Sequence, residues 1–503
     1  MRYQNPVIPG FYPDPSICRV GDDYYLVTSS FEYFPGVPVF YSRDLVHWRQ
    51  IGHCLTRLGQ LNLENAPSSG GIFAPTIRYH AGRFYMVTTN FTHGGNFYVW
   101  TDDPAGEWSD PIWVDQGGID PSLCFDDEGK VYFTSNGGGD ERGIHQCEIE
   151  IATGRRLTES RFIWPGTGGA YPEAPHLYKI NGLYYLMIAE GGTEYGHMET
   201  IARSADPYGP FASCPRNPIL THRSWHSPIQ ATGHADLLQA HDGGWWLVFL
   251  GIRPVRYPPC HHLGRETFLS PVAWRDGWPL AGEDGHTALE VDAALPPSCP
   301  WPAPQARDDF GGTCLDLPWN FLRNPHPENW SLTDRPGWLR LNGSAARLDD
   351  IASPAFIGRR QRHFDCRVRT LLDFNPRLEG EEAGLTVLMN EKHHYEIAVT
   401  RLDGQRCIIV RRRIGSLSMI VSRIAVVDGP VTLGIAAEPL RYRFTFTLGE
   451  GEPRILAEGE TYYLSKEVAG GFTGVYFGLY ATGNGRRGMT PAYFDWFEYE
   501  GGR

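Results

Sequence analysis

A short pattern recurs five times in the first 280 residues: DPSI from Asp14, APTI from Ala74, DPSL from Asp120, APHL from Ala174 and ADLL from Ala235. Each copy leads through a turn marked by Gly with Asp or Asn to an aromatic strand: DDYYLVT, GRFYMVT, GKVYFTS, NGLYYLM and GGWWLVF. Gly supplies the positive φ that tight turns require, so each copy reads as a β-hairpin. Spacings of 46 to 61 residues fall in or just above the range for propeller blades of four strands each. Helical periodicity is not sustained in this region. A blade buries both faces only against its neighbours, so five copies imply five blades closed into a ring.

Ring closure brings equivalent positions of successive blades to one axis. Acids stand at the first position of two copies, Asp14 and Asp120, and Glu173 directly precedes a third. An isolated Asp-Pro is usually a turn residue, because Asp hydrogen-bonds its own backbone. Two DPS copies and an offset Glu in one repeat frame instead form a candidate acid–base set. Convergent carboxylates without a metal motif suit glycosidic bond hydrolysis. That reaction needs one protonated acid for the leaving oxygen and one ionised base or nucleophile. Burial and charge crowding push carboxyl pKa values apart, so one chemical group serves both roles. Glu190, Glu194 and Glu199 read as surface or supporting residues rather than reactants. Fifteen Trp, 25 Tyr and 25 Phe suit a sugar ligand, although any single ring is more often core.

Net charge is −13 and no basic stripe exists to follow a phosphate backbone, which argues against nucleic acid. No run of about 18 apolar residues is present, so no membrane span is expected. The start, MRYQNPVIPG, lacks the apolar core of a secretion signal, and the expected address is cytoplasmic. Ten scattered cysteines without a CxxC then read as reduced and mostly buried. Cys260-His261-His262 lacks zinc spacing.

From about Gly282 to Ala306 the chain turns rich in Pro and Ala and reads as a linker. Beyond it, strands such as HFDCRVRTLL, HYEIAVTR and FTGVYFGLY continue without helices, as in a β-sandwich of jelly-roll or lectin-like type. The expected fold is all-β: a five-bladed β-propeller over 1–281, a linker over 282–306 and a β-sandwich over 307–503.

Several segments resemble glycoside hydrolase family 43, and its β-xylosidase-type members in particular. They are NPVIPGFYPDPSI (5–17), SSFEYFPGVPVFYSRDLVHW (29–48), GIFAPTIRYH (71–80), GIDPSL (118–123), EAPHLYK (173–179), GHADLL (233–238) and LGRETFL (263–269). The resemblance implies a five-bladed propeller with an accessory C-terminal sandwich. It implies that Asp14 is the general base activating a water, Glu173 the general acid, and Asp120 the carboxylate that orients the acid and keeps its pKa raised. Arg265 would bind the sugar in the innermost subsite, with Phe31, Phe73, Ala74 and Thr193 lining it. His234 would stand near the axis where, in some members, a calcium ion or water is held; the chemistry itself requires no cofactor. Inversion of the anomeric centre would place base and acid about 6.5–9.5 Å apart.

The implied activity is exo-acting release of terminal β-D-xylosyl units from short xylo-oligosaccharides. The nearest alternative is α-L-arabinofuranosidase action, alone or as a second activity; a non-catalytic carbohydrate-binding propeller is the rival from another class. Relatives with the sandwich form dimers or tetramers, so a homo-oligomer is among the expectations. Tyr33 and Phe73 replace a Trp of many members, which bears on the choice of sugar. The sandwich is expected to close one side of the pocket, with YATGNGRRG (480–488) the candidate loop.

Overall fold

Each repeat copy opens the innermost strand of a blade: Ser16–Val20, Thr76–His80, Ser122–Phe125, Glu173–Ile180 and Gln230–Gln239. Each pairs antiparallel with the aromatic strand of its own copy, as Ser16 faces Val27 and Ser122 faces Thr134. Further strands complete five antiparallel sheets, the fourth carrying an additional short strand, Leu220–Thr221. Neighbouring innermost strands touch around a closed ring, the last against the first. The computed structural model describes residues 2–137, 142–488 and 490–502, and its first half is a five-bladed propeller.

Strand alternation organises the interior, since residues two apart share a face. Ile17, Ile77, Leu123, Leu177 and Leu237 are buried between blades. Ser16, Thr76, Ser122, His176 and Asp236 form a polar layer about the axis, all buried. There Asp236 accepts hydrogen bonds from Ser16 Oγ (2.6 Å), Ile17 N (3.0 Å), Arg78 Nη1 (2.7 Å) and Tyr178 OH (2.6 Å). Arg78 also meets His176 Nδ1 at 2.8 Å. One carboxylate thus ties blade five to blades one, two and four. Burial alone would raise its pKa, but Arg78, His176 and the Ser16 hydroxyl overcome that and hold it far below the usual range.

This layer corrects the register of the fifth copy. His234-Ala235-Asp236-Leu237 occupies the place of Asp14-Pro15-Ser16-Ile17, so the copy begins at His234 and not at Ala235. The heads of copies one, three, four and five share a left-handed backbone: Asp14 (φ 55°), Asp120 (54°), Ala174 (52°) and His234 (53°). That conformation is uncommon for residues with a Cβ and turns the head side chain out of the strand toward the axis. With neither an acid nor a proline to mark it, the fifth head was displaced by one residue in the sequence pattern.

The second half holds two eight-stranded antiparallel sheets packed face to face. Their inward residues, among them Val368, Leu385, Ile397, Ile435, Phe444 and Leu479, are fully buried. The two halves are not independent bodies. Tyr33–Phe34, from the first blade's region, pairs with Asn320–Leu322 as the edge strand of one sandwich sheet. A single apolar core runs from Val27, Leu55 and Leu61 to Ile357 and Leu385. Segment 282–306 is laid along the propeller rather than hanging free. Glu290–Asp292 pairs with Arg2–Gln4, and Trp301 Nε1 donates to His47 O at 3.0 Å. Its Pro-rich composition makes a strap, because backbone groups and a few rings do the anchoring. Among the described residues no helix is long and apolar enough to cross a membrane.

Candidate active site

The propeller axis opens at the strand heads, and there Asp14 is 3% exposed. Arg265 grips it from blade five, with Nη1 at 2.6 Å from Oδ1 and Nη2 at 3.3 Å from Oδ2. The Ser29 hydroxyl donates to Oδ2, and His234 Nδ1 lies 3.6 Å from Oδ1. Burial would raise the Asp14 pKa, but Arg265, His234 and Ser29 outweigh it and hold the carboxyl below its ordinary value. Asp14 is therefore ionised throughout the neutral range, as a base must be.

Glu173 and Asp120 behave in the opposite sense. Burial, then the charge of Asp14, pushes Glu173 up to about 7, against the pull of Arg265. Burial, then Glu173 and Asp14, pushes Asp120 well above the carboxylate range. Both carboxyls are therefore raised by burial and by the charge of Asp14. One pocket thus holds a carboxylate kept ionised and two carboxyls raised toward protonation. That is the division of labour general acid–base hydrolysis requires.

Aromatic rings wall the pocket. Phe31, 2% exposed, has its centroid 5.4 Å from Phe73, which stacks on Phe91 at 4.6 Å. Arg265 lies over Phe31 at 5.7 Å and donates from Nη1 to Thr193 Oγ1 at 3.2 Å. Its Nε is buried without a hydrogen-bond partner. Ala74 heads copy two and is buried.

The structure relocates the sandwich's contribution. Phe472, not 480–488, reaches the pocket: its ring faces Phe31 at 6.2 Å, and its carbonyl accepts from Arg265 Nη2 at 3.4 Å. Ser69 Oγ accepts the Phe472 N–H at 2.7 Å, and Gly471 allows this approach, since a Cβ there would stand 2.6 Å from that oxygen. Loop 480–488 instead turns toward Ser344, Ala345 and Gly380 within the sandwich. Tyr33 is also outside the pocket. Fully buried, it stacks on Tyr476 at 3.9 Å in the seam between the halves. Of the two replacements expected to bear on sugar choice, only Phe73 lies among the pocket rings.

Three glutamates find supporting places. Glu190, fully buried, accepts from Thr167 N, Thr167 Oγ1, Gly169 N and Thr200 Oγ1, fixing the loop that leads into Glu173. Glu194 pairs with Lys466 of the sandwich, and Tyr195 OH donates to Glu467 at 2.8 Å. Glu199 accepts from Ala235 N at 3.0 Å, and burial raises it well above the usual range. His261 binds Glu467 as well, so the Cys-His-His run serves the seam. Sequence reasoning missed Phe472, whose only signal was the glycine-rich GGFTG.

His234 is buried, and burial lowers its pKa against the raising effect of Asp14. Calcium takes six to eight oxygen ligands. His234 offers nitrogen, Asp14 is already gripped by Arg265, and among the described residues no group of three or more His, Cys, Asp or Glu is placed to hold a metal. A cavity of about 350 Å³ lies elsewhere, on the sandwich, lined by Arg347, Glu382, Glu396 and Arg411. Its charges already satisfy one another, Arg411 bonding both glutamates at 2.6–2.7 Å.

A propeller whose axis gathers one ionised carboxylate and two raised carboxyls under an aromatic wall suits a glycoside hydrolase. Residues 3–279 match Glycosyl hydrolases family 43, and residues 307–500 match the Beta xylosidase C-terminal Concanavalin A-like domain. The chain belongs to glycoside hydrolase family 43. It is 46% identical to a non-reducing end alpha-L-arabinofuranosidase of Bacteroides ovatus, over 99% of this chain and 94% of the relative. It is 39% identical to a xylosidase/arabinosidase of Butyrivibrio fibrisolvens, over 99% of both. Among solved structures, a xylan beta-1,4-xylosidase from Bacillus halodurans superposes with a TM-score of 0.93 at 35% identity, covering 99% of this chain and all of that one.

Proposed function

We propose that this hydrolase is exo-acting and inverting, and that it removes single terminal β-D-xylosyl units from short xylo-oligosaccharides. One observation carries the mechanism: Asp14 is held ionised by Arg265 while Glu173, in the same pocket, is raised to about 7. Asp14 takes a proton from a water, the water's oxygen attacks the anomeric carbon, and the Glu173 proton passes to the departing oxygen. Asp120 orients the acid. Arg265 fixes Asp14 and binds the sugar in the innermost subsite. Phe31, Phe73 and Phe472 close the pocket to the size of one sugar.

A second reading has its own support. The relative at 46% identity is named an arabinofuranosidase and that at 39% a xylosidase/arabinosidase, so α-L-arabinofuranosyl units are the second substrate. Paired kcat/KM values on nitrophenyl β-D-xyloside and α-L-arabinofuranoside test both. Turnover of the xyloside at the higher rate supports the first reading, and the reverse order replaces it with the second. Absence of both activities removes the proposal.

A further inference from the structure

We infer that Tyr171 is the platform on which the leaving group rests, a specificity-determining residue for the sugar beyond the cleaved bond. The inference rests on the hydrolase reading of the pocket above. Tyr171 is 69% exposed although large and aromatic, and it lies two residues before Glu173. Its backbone has φ 51°, a left-handed conformation that is an outlier for a bulky side chain and one further restricted by the following Pro172. A residue held so must be fixed by its surroundings, and such positions gather at ligand clamps.

The surroundings are on the same side of the pocket. Glu190 binds Thr167 and Gly169, and Gly191 N donates to Ala170 O at 2.6 Å, so the chain is anchored up to the residue before Tyr171. The ring lies against the backbone of Gly192, where an added Cβ would stand 3.0 Å from Tyr171 Cδ2. Gly192 therefore gives one edge of the ring room against the chain, while most of the side chain stays exposed. The next residue, Thr193, accepts from Arg265, which places this rim beside the inner pocket.

Direction follows from the chemistry. Glu173 gives its proton to the departing oxygen, so the leaving group lies on the Glu173 side of the bond, opposite the water activated by Asp14. An exposed aromatic ring two residues from the acid suits the apolar face of a sugar ring. The ligand class is the neutral saccharide released as leaving group.

The test compares wild type with Tyr171→Ala, Tyr171→Asn and Tyr171→Phe on two substrates sharing one terminal sugar: an oligosaccharide and the glycosyl fluoride, whose leaving group has no ring. Asn tolerates this backbone and covers the case in which Ala fails to fold. In the Ala and Asn variants kcat/KM on the oligosaccharide should fall roughly three- to tenfold, mainly through KM. The fluoride rate and the inhibition constant of the free monosaccharide should stay at wild-type values, and Phe should behave as wild type. Equal losses on both substrates, or no loss on the oligosaccharide, would overturn the platform. A wild-type chain that cleaves neither substrate refutes the proposed function instead; oligosaccharide affinity by calorimetry then decides the platform, which needs weaker binding in Tyr171→Ala.

Discussion

Replacing Glu173 by Gln removes one proton and almost no volume, which makes it the cleanest perturbation of the site. With the acid raised to about 7, wild-type kcat/KM should decline through an alkaline limb near that pH. At one pH step above it, only about a tenth of the pocket would hold the proton and the rate would fall about tenfold. Glu173→Gln should abolish that limb. On a substrate with a poor leaving group, such as xylobiose, turnover should fall by about 10²–10⁴, the usual worth of a positioned acid. On a dinitrophenyl glycoside, whose leaving group departs without a proton, the loss should be far smaller. The assay is a pair of pH–rate profiles, one per substrate. Equal losses on both substrates, or an alkaline limb that survives in the variant, would refute the assignment of Glu173 as acid.

Asp14→Asn should lower turnover by orders of magnitude on both substrates, because a base serves any leaving group; rescue of the nitrophenyl rate alone would remove Asp14 from that role. Phe472→Ala should raise KM several-fold with little change in melting temperature, since the ring is 38% exposed and stabilises the sugar more than the fold. Asp236→Asn strips Arg78 of its buried partner and should cost about 3–5 kcal/mol in denaturant unfolding. Asp236 is depressed in the folded state, so its contribution is present above the ordinary carboxylate pKa of about 3.9 and lost as pH falls below it. Wild-type stability should therefore drop in acid more steeply than that of the Asn variant.

The propeller was legible because its repeat is written twice over, in the strand heads and in the turn–aromatic strands that build each blade. Asp14, Asp120 and Glu173 were legible for the same reason: a residue type recurred in a fixed frame. What escaped was whatever depended on contact between distant segments. Tyr33–Phe34 looks like part of a propeller loop, and only its pairing with Asn320–Leu322 makes it a sandwich strand. The Pro-rich strap is held through backbone bonds and rings that composition does not record. Phe472 and 480–488 are both glycine-flanked loop segments, and nothing local tells which one meets Ser69 and Arg265. Glu190 reads as a surface or supporting acid, and only its bonds to Thr167 and Gly169, 21–23 residues away, show which.

The account stands on Asp14 acting on a water rather than on the sugar itself. Proton NMR of the product formed in the first minutes of β-D-xyloside hydrolysis tests this directly. Activation of water predicts that α-xylopyranose appears first, with the β anomer growing in only at the rate of mutarotation. Initial appearance of the β anomer would mean a covalent intermediate on the enzyme and would contradict the role given to Asp14.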